Sequence, residues 1–551
     1  MKTSAEVCSQ IASYFDVVDS CIATSDTNKQ YSINPQTSYS PSPPIKQGSY
    51  TSVIISPNTH NTADIYNGFI RADLKVTMNI NEKIPDLSDI GGYPFNKIWF
   101  GFKDARDAIE KYEIVANGIT IYTQNFGCEE SFLTACCANE TTKRADVYSK
   151  ARHKDIWNNN FATRCGIVIN WPKDDLTATF TIHLKIDLRR FLPLSNIKYL
   201  PAFAGKLELR LYFSCAGMLC CPCGPSRSLL AQPSLATKYT FSAITNEFTP
   251  VGDDVKIWIS STSANSSGQA SEKTDEAEIL ASETPYTLYS GLRKFQVYEY
   301  EITECSSIIP CFGINNEIYQ QLVQRYSNPQ HPLTFPTQTL SFYTCTQALK
   351  QIQDKTTVTV TPRFVDSIFC LFPLHQRHHT YFKNPLFKHF QLNCGGYGNI
   401  PAKSFGTDGE YPEFIEYCQN AMNMNGEQTG FNKEVIASLC NVSKPLANIT
   451  GLYPNDRTSF FIGFATETDG TYQQGLTSLS PINFEIIVTQ EHAQIKDPND
   501  KSENYKKHFS QIVDTPPILG LLVDASISIL VQPNGMPPLV RIGNYDITTP
   551  E

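Results

Sequence analysis

The sequence predicts an all-β chain arranged as two tandem sandwich domains, and three observations carry that prediction. The composition is rich in Phe (32), Tyr (27) and Pro (34) but holds only 6 Met, a balance that suits strands and long loops better than long amphipathic helices. Runs with apolar residues at every second position follow one another along most of the chain, the signature of half-buried strands. Finally, the two halves present similar blocks in the same order, the kind of internal duplication that marks repeated domains.

At 551 residues and 61.7 kDa the chain exceeds one ordinary domain, so two large β-domains fit its length. The 41% hydrophobic content can fill sizeable cores, and 18% charged residues is low enough to imply much buried or contact surface. A net charge of −9 offers no positive field to draw the protein onto a phosphate backbone, so nucleic acid is not expected as a direct partner. Neither a secretion signal nor a membrane-spanning apolar run is read in the sequence.

Residues 1–47 read as an arm and linker: an amphipathic stretch from Ala5 to Ala23, then a polar, Pro-rich run. The first β-domain is expected over 48–288, with strands in YTSVIIS (50–56), FIRADLKVTMNI (69–80), KIWFGF (97–102), ATFTIHLKIDL (178–188), KLELRLYF (206–213) and KYTFSAI (238–244). Residues 260–283 are small, polar and charged, and read as a long exposed loop or the domain junction. The second domain with a C-terminal tail is expected over 289–551, with strands in FQVYEYEITE (295–304), TLSFYTCT (339–346), TVTVTP (357–362), SIFCLF (367–372), SFFIGFAT (459–466), NFEIIVTQ (483–490) and DASISILV (524–531). Helices are few, at 128–139, 316–326 and 413–424, and read as insertions.

The duplication pairs IWFGF at 98 with IFCLF at 368, YEIVANG at 112 with FQLNCGG at 390, TFTIHLK at 179 with SFFIGFA at 459, and KLELRLYF at 206 with NFEIIVT at 483. The later intervals agree well, 67 residues against 69 and 27 against 24, while the first differs more, 14 against 22. Domains of this size carry long loops beyond a bare eight-strand jelly roll.

Four stretches carry a family resemblance: KARHKDIWNNN (150–160), IHLKIDLRRFLPLSNIKYLPAFAGKLELRLYF (182–213), HPLTFPTQTLSFYT (331–344) and FQLNCGGYGNIPAKSFGT (390–407). In these ordered blocks the chain resembles the major capsid proteins of Maverick/Polinton elements, and more distantly those of virophages and the adenovirus-like lineage. The resemblance covers about residues 50–551, with no single diagnostic motif and no match to the arm. It implies a double jelly roll, two jelly-roll sandwiches side by side, and a homotrimer whose six sandwiches form a pseudo-hexagonal capsomer of an icosahedral capsid. It further implies neighbouring capsomers, a single jelly-roll penton protein and other minor capsid proteins as partners, with the protein made in host cytoplasm and located in the virion. The arm before Gln47 and the tail after Pro533 are then candidate tethers.

Other features read as structural. Seventeen cysteines at irregular spacing suit reduced, buried thiols rather than a disulfide framework. Cys215, Cys220, Cys221 and Cys223 could supply zinc with soft ligands, but C-x4-CC-x-C is not a pair of C-x2-C knuckles, and loop thiols are the preferred reading; Cys136 and Cys137 signal no more. His375, Gln376, Arg377, His378 and His379, with His389 nearby, lack carboxylates at ligand spacing and read as a solvated loop. The basic run Lys143–Lys154 is offset by Glu129, Glu130 and Glu140, and reads as paired surface charge at a contact between subunits. The glycine pairs 91–92 and 395–396 read as turns, since no phosphate-cradling motif follows them. The acids at 174–175, 408 and 410 read as turn and edge residues. Sequons at Asn139, Asn265, Asn441 and Asn448 read as chance matches in the absence of a signal. No catalytic, cofactor-binding or metal-ligating residue is assigned, and no enzyme is expected. Two rival classes stay open: a β-sandwich carbohydrate-binding or adhesion protein, and a β-rich hydrolase pairing a thiol with a histidine.

Overall fold

A computed structural model describes residues 14–19, 32–36, 49–57, 61–80, 97–100, 105–137, 176–213, 293–373, 387–407, 460–466, 475–490, 515–532 and 536–543, with a few shorter pieces between them. Sixteen strands form its frame. The first unit holds β1 (Ser32–Gln36), β2 (Tyr50–Ile54), β3 (Phe69–Ile80), β4 (Ile109–Ala116), β5 (Ile119–Gln124), β6 (Thr177–Asp187), β7 (Leu207–Phe213) and β8 (Arg293–Phe312). The second holds β9 (Leu333–Thr344), β10 (Gln353–Val360), β11 (Val365–Leu371), β12 (His389–Cys394), β13 (Asn399–Phe405), β14 (Ile462–Ala465), β15 (Ile482–Thr489) and β16 (Ile518–Leu530).

In the first unit the principal strands run 1-8-3-6 in one sheet and 2-7-4-5 in the other, all antiparallel. In the second they run 9-16-11-14 and 10-15-12-13. Adding eight to every strand of the first unit reproduces the second. In each, every connection crosses between sheets except one hairpin, β4–β5 or β12–β13, and this is the eight-strand order of a jelly roll. The chain is therefore a double jelly roll, as the sequence predicts.

Alternation builds the sandwiches. Leu207, Leu209, Leu211 and Phe213 of β7 point inward, as do Ile70, Ala72, Leu74 and Val76 of β3, while the residues between them face out. Along β8 the register against β3 slips between Ile302 and Glu304. That bulge changes which parity faces the core, so Ile302 is followed inward by Cys305 and then Ile309. The β4–β5 hairpin turns on Asn117 (φ 52°) and Gly118 (φ 86°), the left-handed pair that a tight hairpin of this twist requires.

Three sequence expectations move. By pairing, residues 293–312 are the last strand of the first unit rather than the opening of the second, so the boundary expected at 288 lies instead between β8 and β9, at α2 (Asn316–Tyr326). The polar stretch 260–283, expected as an exposed loop or the junction, lies outside the described residues. Residues 32–36, expected in the linker, form edge strand β1 on β8; Pro35 is tolerated because an edge strand has one unpaired side. Finally, the expected tail contains a strand, Leu539–Gly543, paired with β16.

Helix α1 (Gly127–Cys137) matches the helix expected at 128–139, and α2 matches its expected span, with Asn315 accepting the Glu317 backbone N–H as N-cap (2.9 Å). Of the span 413–424, Tyr417 and Ala421 are helical and the remainder lies outside the described residues. KYTFSAI also lies outside them. Among the described residues no helix is long and apolar enough to cross a membrane.

Candidate functional site: the seam between the two units

The most elaborate construction in the molecule is where the jelly rolls meet. Strands β9 and β16 run on past their own sandwich: Leu333, Phe335, Ile527 and Ile529, joined by Val540 of the strand Leu539–Gly543, pack into the first unit's core cluster, while Leu340, Leu519 and Leu522 pack into the second's. For this reason β16 is buried on both faces over twelve residues and does not alternate.

Helix α1 crosses the seam in the other direction. It follows β5, and its first residue must be Gly127, since a Cβ there would lie 2.5 Å from the Ile109 carbonyl oxygen. Phe132 reaches Phe382 of the second unit at 4.4 Å between ring centroids, and Leu133 joins the second core. Residues Cys128 to Leu133 are all buried, so the first half of the helix is enclosed on every side and carries Glu129 and Glu130 in with it.

Glu130 is the hub of a buried polar network. Arg106, from the one-turn helix before β4, places Nη2 2.6 Å from Oε1, with both side chains essentially inaccessible (1% and 0%). The Tyr112 hydroxyl of β4 donates to Oε2 (2.8 Å), Gln124 Nε2 of β5 donates to the same oxygen (2.9 Å), and the Leu192 backbone N–H donates to Oε1 (3.1 Å). Gln124 Nε2 also donates to the Leu340 carbonyl of β9 (2.7 Å), which ties the hub to the second unit. The Arg106 guanidinium donates to the Arg190 carbonyl and lies 4.7 Å from the Phe191 ring. Burial, then the adjacent Glu130 charge, pushes the Tyr112 hydroxyl well above its ordinary pKa, so it remains a donor. Nearby, the Thr337 hydroxyl of β9 contacts the carbonyls of Leu192 (3.0 Å) and Pro193 (2.9 Å). An arrangement this deeply buried and this extensively hydrogen-bonded holds elements in place; it gives a substrate no access.

The chain ends seal the same seam. Residues 14–19 are helical, with Tyr14 and Val18 buried. Tyr14 packs edge-on against Tyr326 of α2 and Phe335 of β9, and Phe15 packs on Phe335 and on Tyr199 of the first unit. Asp19 accepts from Lys198 Nζ (2.7 Å) and the Tyr199 hydroxyl (2.7 Å). At the C-terminal side, Asn117 Nδ2 donates to the Pro538 carbonyl (2.9 Å) while its Oδ1 accepts the Lys206 N–H (2.9 Å).

The residues singled out from the sequence fare unevenly against this geometry. Glu129 and Glu130, read as surface charge offsetting a basic run, are buried; Glu130 pairs with Arg106, which sequence reasoning missed. The available signal was two carboxylates inside an otherwise apolar helix, which cannot stay there unpaired. Gly395 (φ 54°) and Gly398 (φ 89°) flank the β12–β13 turn, where glycines were expected. His389 begins β12. Cys220 and Cys221 lie in a strand paired with Lys97–Phe100, while Cys215 and Cys223 lie outside the described residues. So do His375 to His379, Lys143 to Lys154, Gly91, Gly92, Glu140, the four sequon asparagines, and the acids at 174, 175, 408 and 410. Cys136 and Cys137 end α1.

Cys128, Cys305, Cys311, Cys345, Cys370 and Cys394 are buried thiols that form no disulfide. Burial raises Cys305, Cys345 and Cys394 to about 12 and Cys311 to about 11, which is opposite to the activation of a nucleophilic thiol. In the native protein a thiol reagent is expected to leave all six unmodified and to reach them after denaturation, which mass spectrometry of labelled peptides checks.

No protein-family model matches the chain, and no curated protein matches it in sequence. Among solved structures it is similar to a chain of the Sputnik virophage (11% identity, TM-score 0.46, covering 95% of this chain and 90% of that one). It is also similar to the mavirus major capsid protein (10%, 0.44, 96% and 94%) and to the Faustovirus major capsid protein (9%, 0.42, 94% and 92%).

Proposed function

We propose that this chain is a major capsid protein that assembles as a homotrimeric, pseudo-hexagonal capsomer in the shell of an icosahedral virus or virus-like element. The observation that carries the reading is the repeat of one strand order in two sandwiches locked by a buried seam. Fold alone does not assign function, but this geometry has a specific use. A threefold assembly of a chain with two like lobes has six lobes, so a closed trimer approximates a hexagon and can tile a flat face. The tile keeps its outline only if the lobes keep a fixed angle, and the hub, α1 and both chain ends hold that angle.

Two of the four stretches that resemble capsid proteins, 182–213 and 331–344, are the two sides of this seam. Contacts between tiles then come from loops and polar rims, weak singly and strong by number. Its place is the virion shell, its role is structural rather than catalytic, and a penton protein and minor capsid proteins are its further partners. Negative-stain imaging of the purified chain tests the reading: six-lobed discs or closed shells support it, and dispersed two-lobed particles at every concentration and salt overturn it.

A further inference from the structure

The groove that residues 14–19 fill lies across the seam, walled by Tyr199 of the first unit, Tyr326 of α2 and Phe335 of β9. It is a surface groove and not a sealed cavity. Asp16 on the filling segment is exposed, and the Asp19–Lys198 pair that closes its end is half-exposed on both sides (45% and 43%). The segment can therefore leave or arrive without the sandwiches opening. Its hold is modest: Tyr14 and Val18 supply most of the buried apolar surface, and that gain is offset by the cost of ordering six backbone residues.

The chain between the segment and the first strand is longer than its docked position requires. Asp19 bonds Tyr199, Tyr199 stacks edge-on against Phe312 at 5.5 Å, and the neighbouring Cys311 is the pairing partner of Ser32. Residues 19 and 32 are thus separated in space by only a few side chains. Twelve residues lie between them, and a run of that length spans up to about 43–47 Å when extended. The same segment can reach the corresponding groove of an adjoining molecule while β1 stays in its sheet.

We propose that the seam groove is a docking site for the N-terminal segment of a second copy of this chain, so that neighbouring copies exchange residues 14–19 when they assemble. The proposal rests on the capsid reading, which places like copies side by side. Exchange of an identical element uses contacts already present and adds a tether between molecules. It gives the docked segment two duties, closing the seam of one copy and joining that copy to its neighbour.

The test uses the unaltered full-length protein. Chains labelled with nitrogen-15 and unlabelled chains are mixed in equal amounts as dissociated protein, assembled, and coupled with a zero-length carbodiimide, which joins Asp19 to Lys198 through an amide. Mass spectrometry of the 19–198 cross-linked peptide then reads which copies contributed its two halves, and negative-stain images of the same sample record assembly. Exchange predicts that about half of the cross-linked pairs are mixed-isotope in a random closed assembly. Tiles with only same-isotope pairs would overturn exchange and leave the capsid reading standing. If no assembly forms under any condition, the capsid reading fails, and exchange fails with it.

Discussion

The two jelly rolls share every strand position and use different materials to fill them. The first has a largely aliphatic core, with Ile70, Leu74, Val76, Leu184, Leu209 and Leu211 at its centre. Its outer faces are laced with charged contacts, between strands in Lys75–Glu301, Arg71–Glu304 and the His183–Asp73 hydrogen bond, and along single strands in Lys185–Asp187, Lys111–Glu113 and Lys206–Glu208. The second packs phenylalanine on phenylalanine, with Phe390 against Phe372, Phe387, Phe405 and Phe464. Its outer face is built from Thr357, Thr359, Asn483, Gln391 and Asn393, with the Lys355–Glu485 ion pair among them. Inward and outward alternation is common to both; the identity of the side chains is not. Strand order is thus set by the period of the pattern, and each unit is free to meet its own needs for core volume and surface charge.

The largest effect that breaks the comparison lies where the units meet. Glu130→Ala leaves Arg106 buried without its carboxylate and is expected to cost about 3–5 kcal/mol. Replacing both partners, Arg106→Met with Glu130→Leu, removes the unpaired buried charge and is expected to recover part of that loss, the remainder coming from the buried Tyr112 hydroxyl and Leu192 N–H left without their acceptor. Denaturant unfolding of the two variants checks the pair: a double variant as unstable as Glu130→Ala would mean the hub does more than satisfy its own charges.

Within the cores, Phe390→Ala in the second unit is expected to cost about 3–5 kcal/mol and Leu209→Ala in the first about 2–5 kcal/mol. The aromatic core concentrates more of its contacts in each residue. Thermal unfolding followed by domain-specific hydrogen exchange assigns each loss to its own unit.

On the outer faces the effect is smaller. Lys75→Ala in the first unit should cost less than about 1 kcal/mol, and the loss should fade at about 1 M salt, where screening acts over a few ångströms. The threonine face of the second unit, where Lys355–Glu485 is the named charged contact, should respond less. Equal salt dependence of exchange from both sheets would remove the electrostatic half of the comparison.

The smallest effect is the pH response of the N-terminal segment. Burial alone would raise the Asp19 pKa, but hydrogen bonds from Lys198 and Tyr199 and the Lys198 charge outweigh it and hold the carboxyl below its ordinary value. A depressed folded pKa contributes stability that is present above the unfolded value, near 4, and is lost as pH falls through the folded one. Asp19→Asn should therefore lower the melting temperature slightly at pH 6 and not at pH 2. A difference that persists at pH 2 would assign the effect to packing.

The fold is legible in the sequence wherever a strand keeps one face wet. The blocks at 112, 179 and 206 are β4, β6 and β7, and those at 390, 459 and 483 are β12, β14 and β15, equivalent strands found by their shared order and spacing, with alternation clear in β6, β7, β12 and β15. The block pair with the discordant interval is mismatched. IFCLF lies in β11, whose true counterpart is β3, and IWFGF lies in the short strand Lys97–Phe100. β11 is buried on nearly both faces and reads as a continuous apolar run, whereas β3 alternates Arg71, Asp73 and Lys75 with its core residues. Matching by hydrophobicity therefore joins the wrong pair. The misplaced boundary has a similar origin, since a long polar insertion before the last strand of a jelly roll resembles a linker between domains. The seam is the least legible. Its groups come from positions 14, 106, 130, 192, 337 and 538, and only the folded topology brings them together.

The central claim is that two jelly rolls held at a fixed angle make one third of a six-lobed tile, and solution mass by light scattering tests it most directly. The account predicts a species of three chains of 61.7 kDa, about 185 kDa, that persists on dilution. A single chain of 61.7 kDa across concentration and salt would contradict it.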